Sequence, residues 1–191
     1  MAEAPCRPRM RTGSPGRRAS TALAAARPSA KPAPLRVSAA TRLAVIFGGR
    51  SPEHEVSVVS ARSIMREADP ERFELVPIGI TRGGFWLAPE ETGHRLKAIE
   101  AGKTTSIGDE DGGGTAVRAD VLGALAEVDV VFPIVHGRSG EDGTLQGLLE
   151  LVQKPYVGSG IAASAIGMDK AQMRAVFAAH DIPQPRYLVL R

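Results

Sequence analysis

Three short apolar runs along the chain have the character of buried strands. They are residues 43–47 (LAVIF), 73–80 (FELVPIGI) and 128–135 (VDVVFPIV), and polar or glycine-containing segments bound each of them. Near-continuous apolar runs of this length are typical of parallel strands, which are buried on both faces of their sheet. The pattern therefore predicts a sheet whose strands are joined by longer connections.

The connection between the first two runs has apolar positions at helical spacing. Ser51 and Pro52 favour a helix start, with serine as the N-cap and proline at the first helical position. The helix is predicted to extend to about residue 67, with an apolar stripe formed by Val56, Val59 and Ile64 and by Ala61 and Met65 beside them. Further helices are predicted over 119–126, 144–152, 161–168 and 170–179, and short strands over 155–157 and 187–190.

Strand, helix and strand in this order form a βαβ unit, which implies a parallel sheet. The predicted fold class is therefore α/β, an open parallel sheet with flanking helices in a Rossmann-like arrangement. Residues 88–118 are polar and contain six glycines, and the sequence predicts a long loop there. Loops of that length inside a domain are usually functional or variable.

Composition divides the chain into a tail and a folded part. Residues 1–40 carry eight basic side chains and one acidic one, a net charge of +7, so the remaining 151 residues carry −4. The tail is rich in Ala, Pro, Arg and Ser without apolar periodicity, which predicts disorder. It is interpreted as an unstructured extension or, alternatively, as a transit peptide.

Charge and composition also exclude several classes of protein. The basic residues lie in the tail rather than on a folded face, so we expect no nucleic-acid partner. No run approaches the roughly 18 apolar residues that span a bilayer, so we expect no membrane partner. Cys6 is the single cysteine, which excludes an intrachain disulfide.

The segment GGRSPEHEVS, residues 48–57, lies where the first strand turns into the first helix. Ligands of open α/β sheets bind at the carboxyl ends of strands. Gly48 and Gly49 allow a close approach of the backbone, and Glu53 is predicted to face the same crevice. A purely structural role is equally open, because an acid in the first helical turn stabilises the helix dipole.

The segment HGRSGEDGTLQG, residues 136–147, occupies the equivalent position after the third strand. One histidine beside two adjacent acids is a poor metal-ligand set, so no metal ligand is predicted in this chain. The glycines and acids could serve only the turn into the next helix. The functional alternative is that His136 and nearby backbone amides hold a small carboxylate.

The segment VGSGIAASAIGMDK, residues 157–170, places Lys170 just inside a helix that Asp169 is predicted to cap. A cation there opposes the helix dipole. A residue that breaks a local rule is a functional candidate, and a helix N-terminus with a lysine suits a phosphate. The alternative is that Lys170 extends into solvent.

The three segments in this order resemble D-alanine–D-alanine ligases of the ATP-grasp superfamily. The resemblance covers about residues 42–191. It implies ATP- and Mg²⁺-dependent (or Mn²⁺-dependent) joining of two D-alanines through a D-alanyl phosphate, a step of peptidoglycan synthesis. It also implies a pre-ATP-grasp domain over 41–168 and the start of a central ATP-grasp domain over 169–191.

The resemblance assigns roles to particular residues. Glu53 and His136 match the catalytic candidates, with Glu53 near the ammonium group and His136 near the carboxylate of the first D-alanine. Lys170 matches a lysine that reaches the ATP phosphates. The substrate-binding residues expected from the match are Gly48, Gly49, Glu53, Val56, His136 and Gly137.

The resemblance further implies a homodimer in the bacterial cytoplasm. The family's groups for Mg²⁺ and most of its ATP site belong to domains that this chain lacks, so we expect the isolated chain to be inactive. Two alternatives remain open at this point. One is a fragment of a D-alanine–D-lactate or D-alanine–D-serine ligase, and the other is a non-catalytic module that binds a small ligand or dimerises.

Overall fold

The computed structural model describes residues 40–109 and 116–190. The predicted disorder of residues 1–40 lies almost wholly outside these residues. So does part of the loop predicted over 88–118.

Three parallel strands form the sheet, which confirms the predicted α/β class. They are β1 (Thr41–Gly48), β2 (Phe73–Ile80) and β3 (Val130–Ile134), in the order β2-β1-β3. Thr41 pairs with Phe73, and Leu43 pairs with Val130. From the central strand β1 the chain passes to β2 on one side, and it later returns to β3 on the other side of β1. The direction in which strands are added to the sheet therefore reverses, and β1 and β3 flank this reversal point. Ligands of open α/β sheets bind at such a point.

Six helices accompany the strands within the described part of the chain. They are α1 (His54–Glu67), α2 (Pro89–Glu100), α3 (Ala119–Ala126), α4 (Thr144–Leu151), α5 (Ile161–Met168) and α6 (Lys170–Ala179). Asp169 accepts hydrogen bonds from the N–H groups of Ala171 and Gln172, both 3.0 Å, which confirms the predicted cap of α6.

The side chains of β1 alternate between two apolar layers, as the two-residue period of a strand requires. Ala44 and Ile46 belong to the layer that includes residues of α3 and α4. Val45 and Phe47 belong to the opposite layer, with residues of α1 and α2. All four are fully buried, so the apolar run of β1 forms the centre of both layers.

The predicted start of the first helix was wrong. Its predicted apolar stripe was right only in part, since Ala61 is buried and Ile64 and Met65 pack against the core. The helix begins at His54, because Ser51 forms a turn in which its hydroxyl accepts a hydrogen bond from the Glu53 N–H, at 3.0 Å. Val56 and Val59 are 56% and 59% exposed, whereas the buried face of α1 carries two polar residues, His54 and Ser57. The polar residues are buried because each makes hydrogen bonds inside the fold.

Three further predictions differ from the structure. Residues 89–100, predicted as loop, form α2, whose Leu96 and Ile99 pack into the apolar layer beneath it. Residues 187–190, predicted as a strand, form no strand, since no strand of the described chain pairs with them. The short strand predicted over 155–157 is reduced to a single parallel bridge between Tyr156 and Val131.

Ser57 connects the carboxyl ends of the two strands that flank the reversal point. Its buried hydroxyl accepts a 2.7 Å hydrogen bond from the Gly48 N–H and donates one to the Ile134 carbonyl. The side chain therefore fixes the ends of β1 and β3 relative to each other.

We expect Ser57→Ala to lower the free energy of unfolding by about 1–3 kcal/mol, because it leaves a buried N–H and a buried carbonyl unpaired. Urea unfolding measures the change. Ser63→Ala, at an exposed position of the same helix, is the control and should change stability little. Equal effects of the two substitutions would contradict the role given to Ser57.

Candidate functional site

The turn after β1 depends on two glycines with positive φ. Gly48 has φ +92°, and a Cβ there would lie 2.2 Å from the Ile80 carbonyl oxygen. Gly49 has φ +99°, and a Cβ there would lie 2.9 Å from Val135 Cγ1. Both glycines are therefore required for packing against the ends of β2 and β3, whether or not a ligand approaches them.

The turn after β1 and the loop after β3 lie against each other. A Cβ at Gly137, which has φ +69°, would come 3.2 Å from the hydroxyl oxygen of Ser51. Ser51 itself is buried. Residues 48–53 and residues 136–143 thus meet at the reversal point, as the sequence positions of the two segments predicted.

Glu53 and Val56 lie on the outer side of this turn. Glu53 immediately precedes α1, is exposed, and makes no side-chain capping bond to the helix. Val56 is more than half exposed. Both side chains are accessible from solvent next to the reversal point, but neither lines the cavity that His136 borders.

The neighbouring His54, which the sequence reasoning missed, is fully buried. Its Nδ1 lies 2.9 Å from the Gly49 carbonyl oxygen, and its Nε2 accepts a 3.4 Å hydrogen bond from the Ile107 N–H. An accepting Nε2 leaves the proton on Nδ1, which donates to Gly49. His54 therefore connects the turn after β1 to residues 106–107.

The two acids of the 136–143 loop hold the loop in shape. Glu141 accepts a 2.7 Å hydrogen bond from the Gly137 N–H. Asp142 accepts from the N–H groups of Ser139 and Thr144, at 2.9 and 3.0 Å. Glu141 and Asp142 therefore have the structural role that was one of the two alternatives from the sequence, which is to stabilise the turn into the next helix.

Burial raises the pKa of the Asp142 carboxyl, but the N–H donors of Ser139 and Thr144 outweigh burial and hold that pKa below its usual range. A depressed pKa in the folded state stabilises the fold above the unfolded-state pKa, about 3.9 for aspartate. That stabilisation is lost as the pH falls through the lower pKa of the folded state.

We therefore expect Asp142→Asn to lower the free energy of unfolding at pH 7 by about 1–2 kcal/mol, since the amide cannot accept from both N–H groups as a carboxylate does. The difference from the native chain should shrink as the pH falls below about 3.9. Urea unfolding at pH 7 and pH 3 measures it, with Glu71→Gln as a control for the loss of one exposed negative charge. A difference that is the same at both pH values would contradict the assignment.

A cavity of about 510 Å³ lies beside the end of β3, and we call it the His136 cavity. Segments that are distant in sequence line it, and its polar lining includes His136, Gln146, Ser159, Ser164 and Lys170. The cavity therefore brings together His136 and Lys170, two of the residues singled out in the sequence.

Two polar atoms of the residues that line the His136 cavity are buried without a hydrogen-bond partner. They are His136 Nε2 and Gln146 Oε1. Gln146 is only 6% exposed, and its amide nitrogen donates to the Gly140 carbonyl at 2.9 Å. Buried polar atoms are nearly always paired, so these two atoms suit a ligand with a hydrogen-bond donor and a carboxylate.

Lys170 lies at the start of α6 on the same cavity. Its Nζ donates a 2.7 Å hydrogen bond to the Gly167 carbonyl, which uses one of three donor hydrogens. The ammonium group is exposed and has two further donors for an anion. Its position fits a phosphate contact, the role that the resemblance implies.

No group of three or more potential metal ligands (His, Cys, Asp or Glu) occurs within residues 40–109 and 116–190. In the same residues, no helix is long and apolar enough to cross a membrane.

Comparisons with known proteins agree on one family. The family model described as "D-ala D-ala ligase N-terminus" matches residues 42–159. The D-alanine–D-alanine ligase of Nocardia farcinica is 51% identical over 160 residues, which are 78% of this chain and 44% of that protein. The chain thus spans less than half the length of this relative.

The chain is also similar to solved structures of ligases that act on D-alanine, as their names state. The VanG D-Ala:D-Ser ligase of Enterococcus faecalis is 32% identical, with a TM-score of 0.56, over 78% of this chain and 44% of that protein. The D-alanine–D-alanine ligase of Bacillus anthracis complexed with ATP is 28% identical, with a TM-score of 0.51, over 77% of this chain and 38% of that protein.

Proposed function

The chain belongs to the family of D-alanine–D-alanine ligase N-termini, and from this premise we propose that it holds the first D-alanine of an ATP-dependent ligase. The observation that carries the proposal is the buried, unpartnered His136 Nε2 beside a cavity that Lys170 also lines. A protonated imidazole nitrogen there donates to the carboxylate of D-alanine. The product is D-alanyl-D-alanine, for peptidoglycan synthesis.

The other assigned residues belong to the turn after β1, the start of α1 and the loop after β3, next to the His136 cavity. The exposed carboxylate of Glu53 is the partner for the ammonium group of D-alanine. The backbones of the two loops come close together at Gly48, Gly49 and Gly137. Val56 lies in the first turn of α1, three residues after Glu53. Gln146 is added to the set, because its unpartnered Oε1 accepts from a ligand donor.

ATP, when bound, supplies the phosphoryl group that activates the first D-alanine. Lys170 fits a contact to its phosphates, since two of its donor hydrogens remain available. The described residues contain no carboxylate cluster that fits Mg²⁺ or Mn²⁺. We therefore place the metal in the part of the ligase that has no counterpart in this chain.

The same comparison suggests a domain division and a cellular setting. We propose that residues 41–168 form the substrate domain and that 169–191 begin the ATP-grasp domain, in a cytoplasmic homodimer. Light scattering tests the dimer. A ligase that adds D-serine as the second substrate is the second candidate, because a relative named as a D-Ala:D-Ser ligase is 32% identical.

The proposed contact is tested by nuclear magnetic resonance of the histidine rings. D-alanine should shift the resonances of His136, assigned with His136→Gln, and should leave those of the exposed His94 unchanged. L-alanine should shift them less. Equal shifts with both enantiomers, or shifts at His94 alone, would contradict the proposal.

We also expect the isolated 191-residue chain to release no phosphate from ATP in the presence of Mg²⁺ and D-alanine. Phosphoryl transfer is catalysed mostly by positioning and neutralisation of charge, and the described residues lack the metal-binding acids. A phosphate-release assay measures this, with an intact relative as the positive control. Turnover by the isolated chain would contradict the assignment of those acids to the part of the relatives that this chain does not span.

A further inference from the structure

A second cavity lies at the carboxyl edge of the sheet, on the other side of the turn after β1. Its volume is about 340 Å³, within the range of about 300–1,000 Å³ that is usual for small-molecule sites. We call it the Arg50 cavity. Its lining includes Arg50, Trp86, Val117, Ser139, Leu145 and Leu148.

Arg50 is positioned by the turn between β2 and α2. Its Nε donates a 2.7 Å hydrogen bond to the Gly83 carbonyl. A Cβ at the next residue, Gly84, would lie 2.3 Å from that Nε, so alanine at 84 would displace the arginine side chain from this position. The terminal nitrogens of Arg50 have no partner among the described residues. Within the described chain, the guanidinium group is therefore held at its Nε and unpaired at its two terminal nitrogens.

The lining has one charged side chain, that of Arg50, and no acid among the described residues. A free guanidinium edge presents two parallel N–H donors, which match a carboxylate. Trp86, Val117, Leu145 and Leu148 supply apolar walls. A zwitterionic amino acid would lack a partner for its ammonium group here, and a single arginine is a weak site for a dianionic phosphate.

We propose that the Arg50 cavity binds a small monocarboxylate with an apolar side chain or ring. The carboxylate lies on the guanidinium group of Arg50, and the apolar part contacts Trp86 and Leu148. Among the described residues, Val135 alone lines both this cavity and the His136 cavity. The ligand therefore occupies a cavity distinct from the His136 cavity, although Gly49, which we assign to the D-alanine site, lies at its edge.

The chain offers a direct probe, because Trp86 is its single tryptophan. The experiment is a fluorescence titration of the 191-residue chain with phenylacetate and with its uncharged analogue phenylacetamide. Phenylacetate should change the Trp86 emission saturably and bind at least about tenfold more tightly than the amide. A tenfold difference corresponds to about 1.4 kcal/mol, which a hydrogen bond to a charged group can supply.

Arg50→Gln should remove this preference for the acid, whereas Arg138→Gln should retain it. Arg138 is an exposed arginine of the neighbouring loop that does not line the cavity.

A second variant, Gly84→Ala, displaces the guanidinium group without removing its charge. It should also weaken the binding of phenylacetate. Gly102→Ala is its control, because Gly102 has a positive φ of +69° and no neighbour within 4 Å. Circular dichroism establishes that each variant is folded.

Three results would overturn the proposal. The first is an absence of saturable change in the emission of the folded native chain. The second is equal affinity for acid and amide, or a preference for the acid that survives Arg50→Gln. The third is displacement of phenylacetate by D-alanine in competition, which would place the ligand in the His136 cavity.

Discussion

Gly48→Ala is expected to lower the free energy of unfolding by about 3 kcal/mol or more, although it adds only one methyl group. Alanine at a φ of +92° is strained, at a cost of about 1–3 kcal/mol. Its Cβ would also lie 2.2 Å from the Ile80 carbonyl oxygen, so β1 and β2 would have to move apart. Overpacking of this kind costs about 1–3 kcal/mol more.

The control for this prediction is Gly102→Ala. Gly102 also has a positive φ, +69°, but a Cβ there would meet nothing within 4 Å. It should therefore cost about 1–2 kcal/mol, from the backbone conformation alone. Urea unfolding of both variants isolates the contact with Ile80. Equal losses would show that the close approach of the two strands is not what requires glycine at position 48.

His136→Ala is expected to lower kcat/KM for D-alanine by about 10- to 100-fold in a complete enzyme. The hydrogen bond from His136 to a carboxylate contributes about 1.5–3 kcal/mol, which corresponds to that range. The enzyme for this test is a chimera in which this chain replaces the matching N-terminal part of the Nocardia farcinica ligase, of which it spans 44%. Coupled measurement of ADP release gives the kinetic constants.

The loss should appear mainly in KM for D-alanine, with KM for ATP changed little, because His136 meets the amino acid rather than the nucleotide. His94→Ala, at an exposed position on α2, is the control and should leave both constants as they are. A loss of less than twofold would contradict the role of His136. A loss confined to KM for ATP would contradict it as well.

The sheet could be predicted from the sequence because its strands are apolar on both faces. The bounds of β2, residues 73–80, were predicted as observed, and β1 and β3 differ only at their ends. The first helix was harder, because its buried face carries His54 and Ser57. Periodicity of apolar residues selects Val56 and Val59 instead, and both are exposed. Helix α2 was missed since it is largely polar and contains Gly93.

The part of the candidate site that depends only on the order of the strands could be predicted from the sequence. Residues 48–53 and 136–143 both follow strands at one edge of the sheet, so their contact follows from the parallel order. Gln146 was not identified, although a glutamine on the buried face of α4 is a signal. The hydrogen bonds of His54 and Ser57 could not be derived from spacing, because their partners at Ile107 and Ile134 are 53 and 77 residues away.

The central claim, that this chain is the D-alanine-holding part of a ligase, is tested most directly by the chimera without further substitution. The prediction is that it forms D-alanyl-D-alanine from ATP and D-alanine, with ADP released in equal amount, and that L-alanine does not replace D-alanine. A folded chimera that forms no dipeptide, while the intact Nocardia farcinica ligase does so under the same conditions, would contradict the claim.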